Sequence, residues 1–357
     1  MLEYEGAKSV APLDCYLGIA KLPFKISVAA MLRTAYWAQN QCSYERAEEA
    51  ITENLRTRIN DDTVRLVTNY IGGIVFKNDC QRAEECYALL QSAKLPYRQC
   101  RKGVLYIETD GAALNTRHKN DQGSTWRENK LGVVFSSDNI YSWTDRHGER
   151  RQQLQRREYT SYIGSVDEFK KHLLACALRN GYGEYKETVV LSDGAAWIRS
   201  MTEEIFHGAQ HILDYYHLSE NVYTYAKTLF NMDDSKYVPW AKKICDALKK
   251  SQFKQVLMEL EPYKDKLSGA CPVNLYGYIT NNITHIDYAE YERKGYYIGS
   301  GAVESGNKIV LQQRLKQAGM RWNPSSAQAL LTLKAKAESS LWHMDVETPA
   351  YDYFSRL

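Results

Sequence analysis

Three acids stand where chemistry would use them. Asp110 closes Glu108-Thr109-Asp110-Gly111 after the apolar run Val104-Leu105-Tyr106-Ile107, and Asp193 opens Asp193-Gly194-Ala195 after Thr188-Val189-Val190-Leu191. Glu304 ends Gly299-Ser-Gly-Ala-Val-Glu304 at the start of a helical pattern. A shorter run, His211-Ile212-Leu213, delivers Asp214, and His217 follows. Short continuous apolar runs mark strands buried on both faces, and open α/β sheets place their ligand groups beyond the carboxyl ends of such strands. Carboxylates gathered there suit phosphoryl transfer through two divalent ions about 3.5–4 Å apart, which activate the attacking oxygen and steady the leaving one. Mg²⁺ (or Mn²⁺) prefers oxygen ligands and needs few from the protein, so Asp110, Asp193 and Glu304 suffice as catalytic and metal-binding acids. His217 is a poor ligand for such ions and is placed outside the metal shell. Asp214 reads either as a helix N-cap or as a group that orients a metal ligand or contacts a DNA backbone.

Each acid also has a plainer reading. A single Asp-Gly after a strand is usually a turn. At about 100° per residue, Glu304, Lys308, Leu311 and Leu315 share one helical stripe with Val303, Val310 and Ala318 beside it. The helix would begin near Ala302 and stop at Gly319. A carboxylate on a core-facing stripe is costly unless a cation or hydrogen bonds meet it. Taken alone, Glu304 reads as a marginal glutamate paired with Lys308. Beside two acids at buried strand ends, it becomes an inward-aimed third ligand.

The elements that must position these groups are legible in outline. Ser27–Gln41 is apolar at helical spacing, Ser43 caps a helix over Tyr44–Leu55, and Arg56–Asn60 forms a polar turn. Asp61 caps a further helix, Thr63–Ile71, which Gly72-Gly73 ends, and a separate helix covers Gln81–Gln91. Two short helices around a turn, with Arg65 on the second, fit either a helix-turn-helix DNA reader or a plain bundle. Pro96 and the basic stretch Arg98–Lys102 mark a boundary. Beyond it come the strand ending at Asp110, a polar loop over Asn115–Asn129, a strand over Leu131–Ser136, and a turn at Ser137-Asp138-Asn139. Further strands pass through Thr144 and Arg157–Tyr162, and an amphipathic helix covers Val166–Arg179. Residues 219–293 are mostly helical, broken at Pro239, Pro262 and Pro272. The order fits an α/β fold with a ribonuclease-H-like core. The divisions are a helical region at 1–100, the first part of the core at 101–218, a helical insertion at 219–297, the Glu-bearing completion of the core at 298–340, and a tail at 341–357.

Composition narrows the class. The chain has 357 residues, 44% hydrophobic and 25% charged, enough for two or three domains with a sizeable core. A formal charge of +3 is too small to indicate a polyanionic partner by itself, so any basic surface is local. Eight cysteines are scattered with no Cys-x-x-Cys pair, against a zinc ribbon or a secreted disulfide framework. Glu3 and Glu5 do not fit a signal peptide, and no apolar run approaches the roughly 20 residues of a membrane helix. The expectation is a cytoplasmic protein.

The same residues carry a family resemblance. Asp110-Gly-Ala, Asp193-Gly-Ala-Ala-Trp-Ile, Asp214-Tyr-Tyr-His217, Gly299-Ser-Gly-Ala-Val-Glu304 and Arg314-x-Lys316-x-x-Gly319-Met-x-Trp322 occur in an order that resembles bacterial insertion-sequence transposases of the Asp-Asp-Glu, Mutator-like superfamily. The resemblance spans roughly Val104 to Lys334, and the set is specific where single motifs are weak. It implies that Asp110, Asp193 and Glu304 are the catalytic acids holding two Mg²⁺ or Mn²⁺ ions, with Asp214 and His217 as a supporting signature. Relatives often carry paired cysteines near the N-terminus, and this chain has none. The implied activity is binding of element ends, cleavage of a phosphodiester and joining of the 3′-hydroxyl to target DNA. Its partners would be double-stranded terminal repeats and target DNA, with a homodimer or larger synaptic assembly, in a nucleoid-associated cytoplasmic setting. DNA-backbone contacts are expected from Lys308, Arg314, Lys316 and Arg321, and from Arg127, Arg150 and Arg151, with Arg146, Arg156 and Arg157 in the same basic hairpin. For these cations a solvated surface is the competing reading. Trp322 would stack on an unpaired base or serve as a core tryptophan. The rival functions are a transposase-derived DNA-binding protein without the chemistry, a nuclease of the same fold, and a glycosidase with paired carboxylates.

Overall fold

The computed structural model describes residues 12–95, 97–264 and 271–356. Glu3, Glu5 and the boundary expected at Pro96 lie outside them. Helices α1 (Pro12–Tyr16), α2 (Val28–Asn40), α3 (Tyr44–Leu55) and α4 (Asp61–Gln91) precede strands β1 (Arg101–Asn115), β2 (Trp126–Ser136), β3 (Ile140–Thr144), β4 (Arg150–Leu154) and β5 (Glu158–Ile163). Then come α5 (Val166–Arg179), β6 (Tyr185–Ser192), α6 (Ala196–Ile205), β7 (Gln210–Leu213) and α7 (Tyr215–Leu229). Helices α8 (Asp234–Lys249), α9 (Phe253–Leu260), α10 (Leu275–Asn281) and α11 (Tyr288–Arg293) follow. The chain closes with α12 (Gly301–Gly306), a π-helical segment Asn307–Gln312, α13 (Gln313–Leu315), α14 (Pro324–Glu338), a second π-helical segment Trp342–Glu347 and α15 (Thr348–Phe354).

The architecture is mixed α/β. A five-stranded sheet runs in the order β5-β2-β1-β6-β7, with β2 antiparallel to β1 and β5, and β6 parallel to β1 and β7. Side chains alternate across a strand, so Leu105 and Ile107 of β1 join α5 and α6 in one core while Val104 and Tyr106 face α7, α12 and α14 in another. β3 and β4 form a separate two-stranded hairpin, so the expected single meander is divided between two sheets. β2 starts at Trp126, inside the stretch expected as loop, because it stays paired with the far end of β1 through Asn115 and Trp126.

Open edges of a sheet need cover. Along β5, Gln328 of α14 accepts from Ile163 N–H and donates to the Ser161 carbonyl, and Ser339 Oγ accepts from Tyr159 N–H at 2.8 Å. α14 thus serves as a side-chain substitute for the missing strand. The last residues, expected as a tail, pack inward: Val346, Ala350 and Phe354 share a core with Met31, Leu32, Val67, Ile71 and Leu333.

Three helical expectations are corrected. α4 continues unbroken through Gly72-Gly73 and absorbs the helix expected at Gln81–Gln91. A β-carbon at Gly72 would lie 2.6 Å from the Ala329 carbonyl oxygen, so this glycine permits a close crossing of α4 on α14 instead of ending a helix. The N-cap is Asn60, whose side chain accepts from Thr63 N–H at 2.8 Å, one residue before the Asp61 expected. Pro239 lies in the second turn of α8 without breaking it; a proline so near the start removes only one intrahelical bond. Ser27, Ser43 and Ser165 cap α2, α3 and α5 by accepting from the N–H three residues on.

Candidate active site

Register brings three aspartates together. Glu108 of β1 pairs with Leu191 of β6, so two residues further Asp110 stands alongside Asp193, which follows the end of β6. Ser192 pairs with Leu213 of β7, and Asp214 N–H donates to the Ser192 carbonyl at 2.8 Å. Asp110, Asp193 and Asp214 therefore share one end of three adjacent parallel strands. One expectation changes: Asp110 is not at the end of its own strand. β1 runs on to Asn115 because β2 keeps pairing with it, and Asp110 marks the place where the parallel partner stops.

Glu304 is carried to these strand ends on the rod from Gly301 to Leu315, which is bolted down by buried acids. Asp214 is fully buried; its Oδ2 accepts from Ser300 N–H at 2.6 Å and from the Ser300 hydroxyl. Its Oδ1 accepts from Tyr216 N–H at 2.5 Å and His217 N–H at 3.0 Å, capping α7. Glu108 Oε2 accepts from Val303 N–H at 2.8 Å. Asn307 donates its Nδ2 to Asp110 Oδ2 at 2.7 Å, while Gly111 N–H holds the other oxygen. The Tyr278 hydroxyl donates to the Asp193 carbonyl at 2.7 Å, tying α10 to the same strand end.

The rod departs from a regular α-helix. Gln313 N–H donates to the Lys308 carbonyl, five residues back, and this π turn shifts the phase of the inward face. Val303, Gly306, Asn307, Val310, Leu311, Arg314 and Leu315 point in, whereas the Glu304 side chain is 54% exposed at the rim. The apolar stripe expected to carry Glu304 inward therefore does not include it. The rod also ends at Leu315; Gly319 sits four residues beyond, in a turn at φ +77°.

The site is electrostatically tense. Burial, followed by repulsion from Asp193, raises the Asp110 carboxyl above its ordinary value, although Gly111 N–H, His217 and Asn307 act against this. Burial and the charge of Asp214 raise Glu304. Glu108, 2% exposed, is pushed up to about 8, chiefly by burial. The basic group acting on both Asp110 and Glu304 is His217, whose Nε2 lies 4.0 Å from Glu304 Oε1. Oxygen donors that repel one another are a set that a hard divalent cation would relieve. Among the described residues, Asp214, His217 and Glu304 bring ligand atoms within 4.8 Å of one another. Asp214 already accepts four hydrogen bonds, so it is better suited to orienting the site than to ligation. Asp110, Asp193 and Glu304 are not gathered so tightly, and a two-ion site spreads its ligands more widely than a single-ion site does.

Sequence reasoning missed Glu108, Ser300, Tyr278 and Asn307. A charged residue within the apolar run of β1 was the signal for Glu108. Asn307, three residues after Glu304, lies on a neighbouring helical face. Nothing in sequence spacing marks Tyr278 or Ser300.

The cations expected to meet DNA are dispersed. Lys308, Lys316 and Arg321 are exposed, and Arg127 is half-buried. Arg151 is paired with Asp145 and Glu149 on the hairpin, beside an exposed Arg150. Two of these residues lie inside the protein, which corrects the open-surface contact expected of Arg314 and, for Trp322, agrees with the core alternative. Arg314 is 2% exposed, donates to the Ala38 carbonyl and lies over the Tyr44 and Trp322 rings, so it is not on the open surface. Trp322 is a core residue: its Nε1 donates to the Leu315 carbonyl, and its backbone pairs with Asn115 and Arg117. Six residues of extended chain separate Thr116, which pairs with Trp322, from Asp110. That places Trp322 on the order of 20 Å from the acids along β1. Among the described residues, no helix is long and apolar enough to cross a membrane. No protein-family model matches the chain, and comparison with curated proteins finds no match.

Proposed function

We propose that the protein is a transposase that cleaves DNA phosphodiesters at the ends of its element and joins the freed 3′-hydroxyl to target DNA. The observation that carries the reading is the meeting of Asp110, Asp193 and the Glu304 rod at one end of adjacent parallel strands. The sheet, three antiparallel strands continued by two parallel ones, supports a ribonuclease-H-like core, with α8 to α11 as an insertion before Glu304. Asp110, Asp193 and Glu304 would hold two Mg²⁺ or Mn²⁺ ions, which when bound activate the attacking oxygen and stabilise the leaving one.

The chain's own groups keep that constellation in place. Asn307 fixes one oxygen of Asp110, leaving the carboxylate a single orientation. Glu108 and Asp214 hold the backbone at Val303 and Ser300, so Glu304 is anchored to the strand ends and not to a free loop. Such support matters because misplacement of a reacting group by an ångström costs about a hundredfold in rate. His217 stands at the rim, able to meet a phosphate or to hold Glu304. Double-stranded DNA is the partner of this reading, and two copies would be needed to hold two ends.

The test is cleavage and strand transfer on end-bearing duplexes with Mg²⁺, with and without a chelator. Asp110→Asn, Asp193→Asn and Glu304→Gln should each lower the rate at least about a thousandfold while leaving the fold intact. Full activity in any one of them would overturn the assignment. Cleavage without joining would identify a nuclease instead.

A further inference from the structure

A second feature lies at the other end of β1. A cavity of about 520 Å³ is lined by four arginines, Arg65, Arg117, Arg314 and Arg321, against a single carboxylate, Asp62. Asp62 is already paired with Arg65 at 3.0 Å. Arg314 is the unusual member. It is 2% exposed, its guanidinium is clamped over Tyr44 at 4.6 Å and Trp322 at 5.2 Å, and among the described residues only its Nε has a hydrogen-bond partner, the Ala38 carbonyl. Its Nη2 is buried with no hydrogen-bond partner, and the groups acting on its charge are Tyr44 and Cys42, neither a carboxylate. A buried cation with donors to spare and no acid is costly unless an anion completes it.

We propose that this cavity binds a phosphate group of a nucleic-acid strand, at a site separate from the catalytic acids. A planar guanidinium with an unpaired donor suits a phosphate's geometry, and Arg117 and Arg321 add charge to the same cavity. The strand, and not a free anion, is favoured by what adjoins the cavity. The Gly319-Met320-Arg321 turn also lines a second cavity of about 670 Å³, which holds Lys316 and Trp126. Trp126 is 53% exposed, an aromatic face on which a base can stack. A strand crossing the turn places one phosphate in the arginine cavity and an adjacent base on Trp126. The proposal shares the nucleic-acid partner of the transposase reading but needs none of its chemistry.

The test is fluorescence anisotropy of a labelled single-stranded oligonucleotide and of a duplex, in EDTA so that no metal-dependent step contributes, with inorganic phosphate as competitor. Arg314→Met should fold with an unchanged or raised thermal midpoint and bind either DNA at least about tenfold more weakly. Arg117→Ala and Arg321→Ala, which remove surface groups, should each weaken binding and make its salt dependence shallower. Inorganic phosphate should compete with the oligonucleotide in the wild type and lose that effect in Arg314→Met. Trp126→Ala should weaken the single strand without altering phosphate competition. Should Arg314→Met fail to fold, Arg117→Ala and Arg321→Ala decide. Wild-type binding in all three arginine variants overturns the proposal, as does phosphate that stabilises the protein without displacing DNA, which would make this a small-anion site. Absence of DNA cleavage with this binding intact would count against the transposase chemistry alone.

Discussion

Gly72 and Gly73 are neighbours in one helix, and alanine at the two positions should act with opposite sign. Both substitutions gain helix propensity, about 1 kcal/mol each in a helix interior. At Gly73, which is exposed, the new methyl meets nothing within 4 Å, so this gain stands nearly alone. At Gly72 the β-carbon would sit 2.6 Å from the Ala329 oxygen and 2.8 Å from its carbonyl carbon and β-carbon. Ordinary contacts begin near 3.4 Å, and the obstruction is largely backbone of α14, which cannot rotate aside. The two helices must part by several tenths of an ångström across a core that includes Val67, Ile71, Val75 and Leu333. Overpacking of that kind costs about 1–3 kcal/mol, which offsets or exceeds the propensity gain. We expect Gly73→Ala to be more stable than wild type by about 0.5–1 kcal/mol and Gly72→Ala to be less stable by up to about 2 kcal/mol. Urea unfolding followed by circular dichroism would read this as midpoints moving apart on either side of the wild type. Two variants with the same midpoint would refute the close-crossing account of Gly72.

Other outcomes follow from the site and its supports. His211, whose Nε2 lies 2.8 Å from Ser192 Oγ, has its pKa pushed down to about 3, first by burial and then by His285. The folded ring stays neutral while the unfolded one takes a proton, so its contribution is fully present above pH 6.5 and is lost as pH falls toward 3. The unfolded ring is half protonated at pH 6.5 and the slope approaches 1.36 kcal/mol per pH unit only below that, so lowering the pH from 6.5 to 5 should remove about 1.7 kcal/mol of stability; denaturation at the two pH values should show this slope reduced in His211→Asn, and an unchanged slope would contradict it. Glu108→Ala strips the acceptor from Val303 N–H and leaves a cavity, for a loss of about 2–4 kcal/mol, whereas Glu108→Gln keeps an acceptor and should lose less than half of that. Equal midpoints for the two would show that Glu108 does not anchor the rod. Asn307→Ala should lower cleavage at least about tenfold with little change in DNA affinity, through release of Asp110; an equal loss of affinity would instead place Asn307 in DNA binding.

Much of the core was legible because local signals and tertiary need coincided. The α5 boundaries follow from apolar spacing, and buried runs mark β6 and β7. The same runs located Asp193 and Asp214, because a strand buried on both faces announces itself residue by residue. Gly72-Gly73 misled because glycine stops helices and permits close crossings alike, and only the presence of Ala329 distinguishes the two roles.

What the sequence determined by itself was the kind of group on offer: carboxylates after apolar runs, a glutamate early in a helix, arginines near its end. Tertiary structure decided which of them meet. Pairing of β1 with β6 sets Asp110 beside Asp193, while packing of the rod leaves Glu304 off the buried face and Arg314 on it. Strand register and helical phase depend on partners distant in the chain, so spacing along the chain does not encode them locally. The same dependence carries Trp322, six residues from Lys316 in sequence, into the core beside Thr116, and so decides between the two readings its sequence left open.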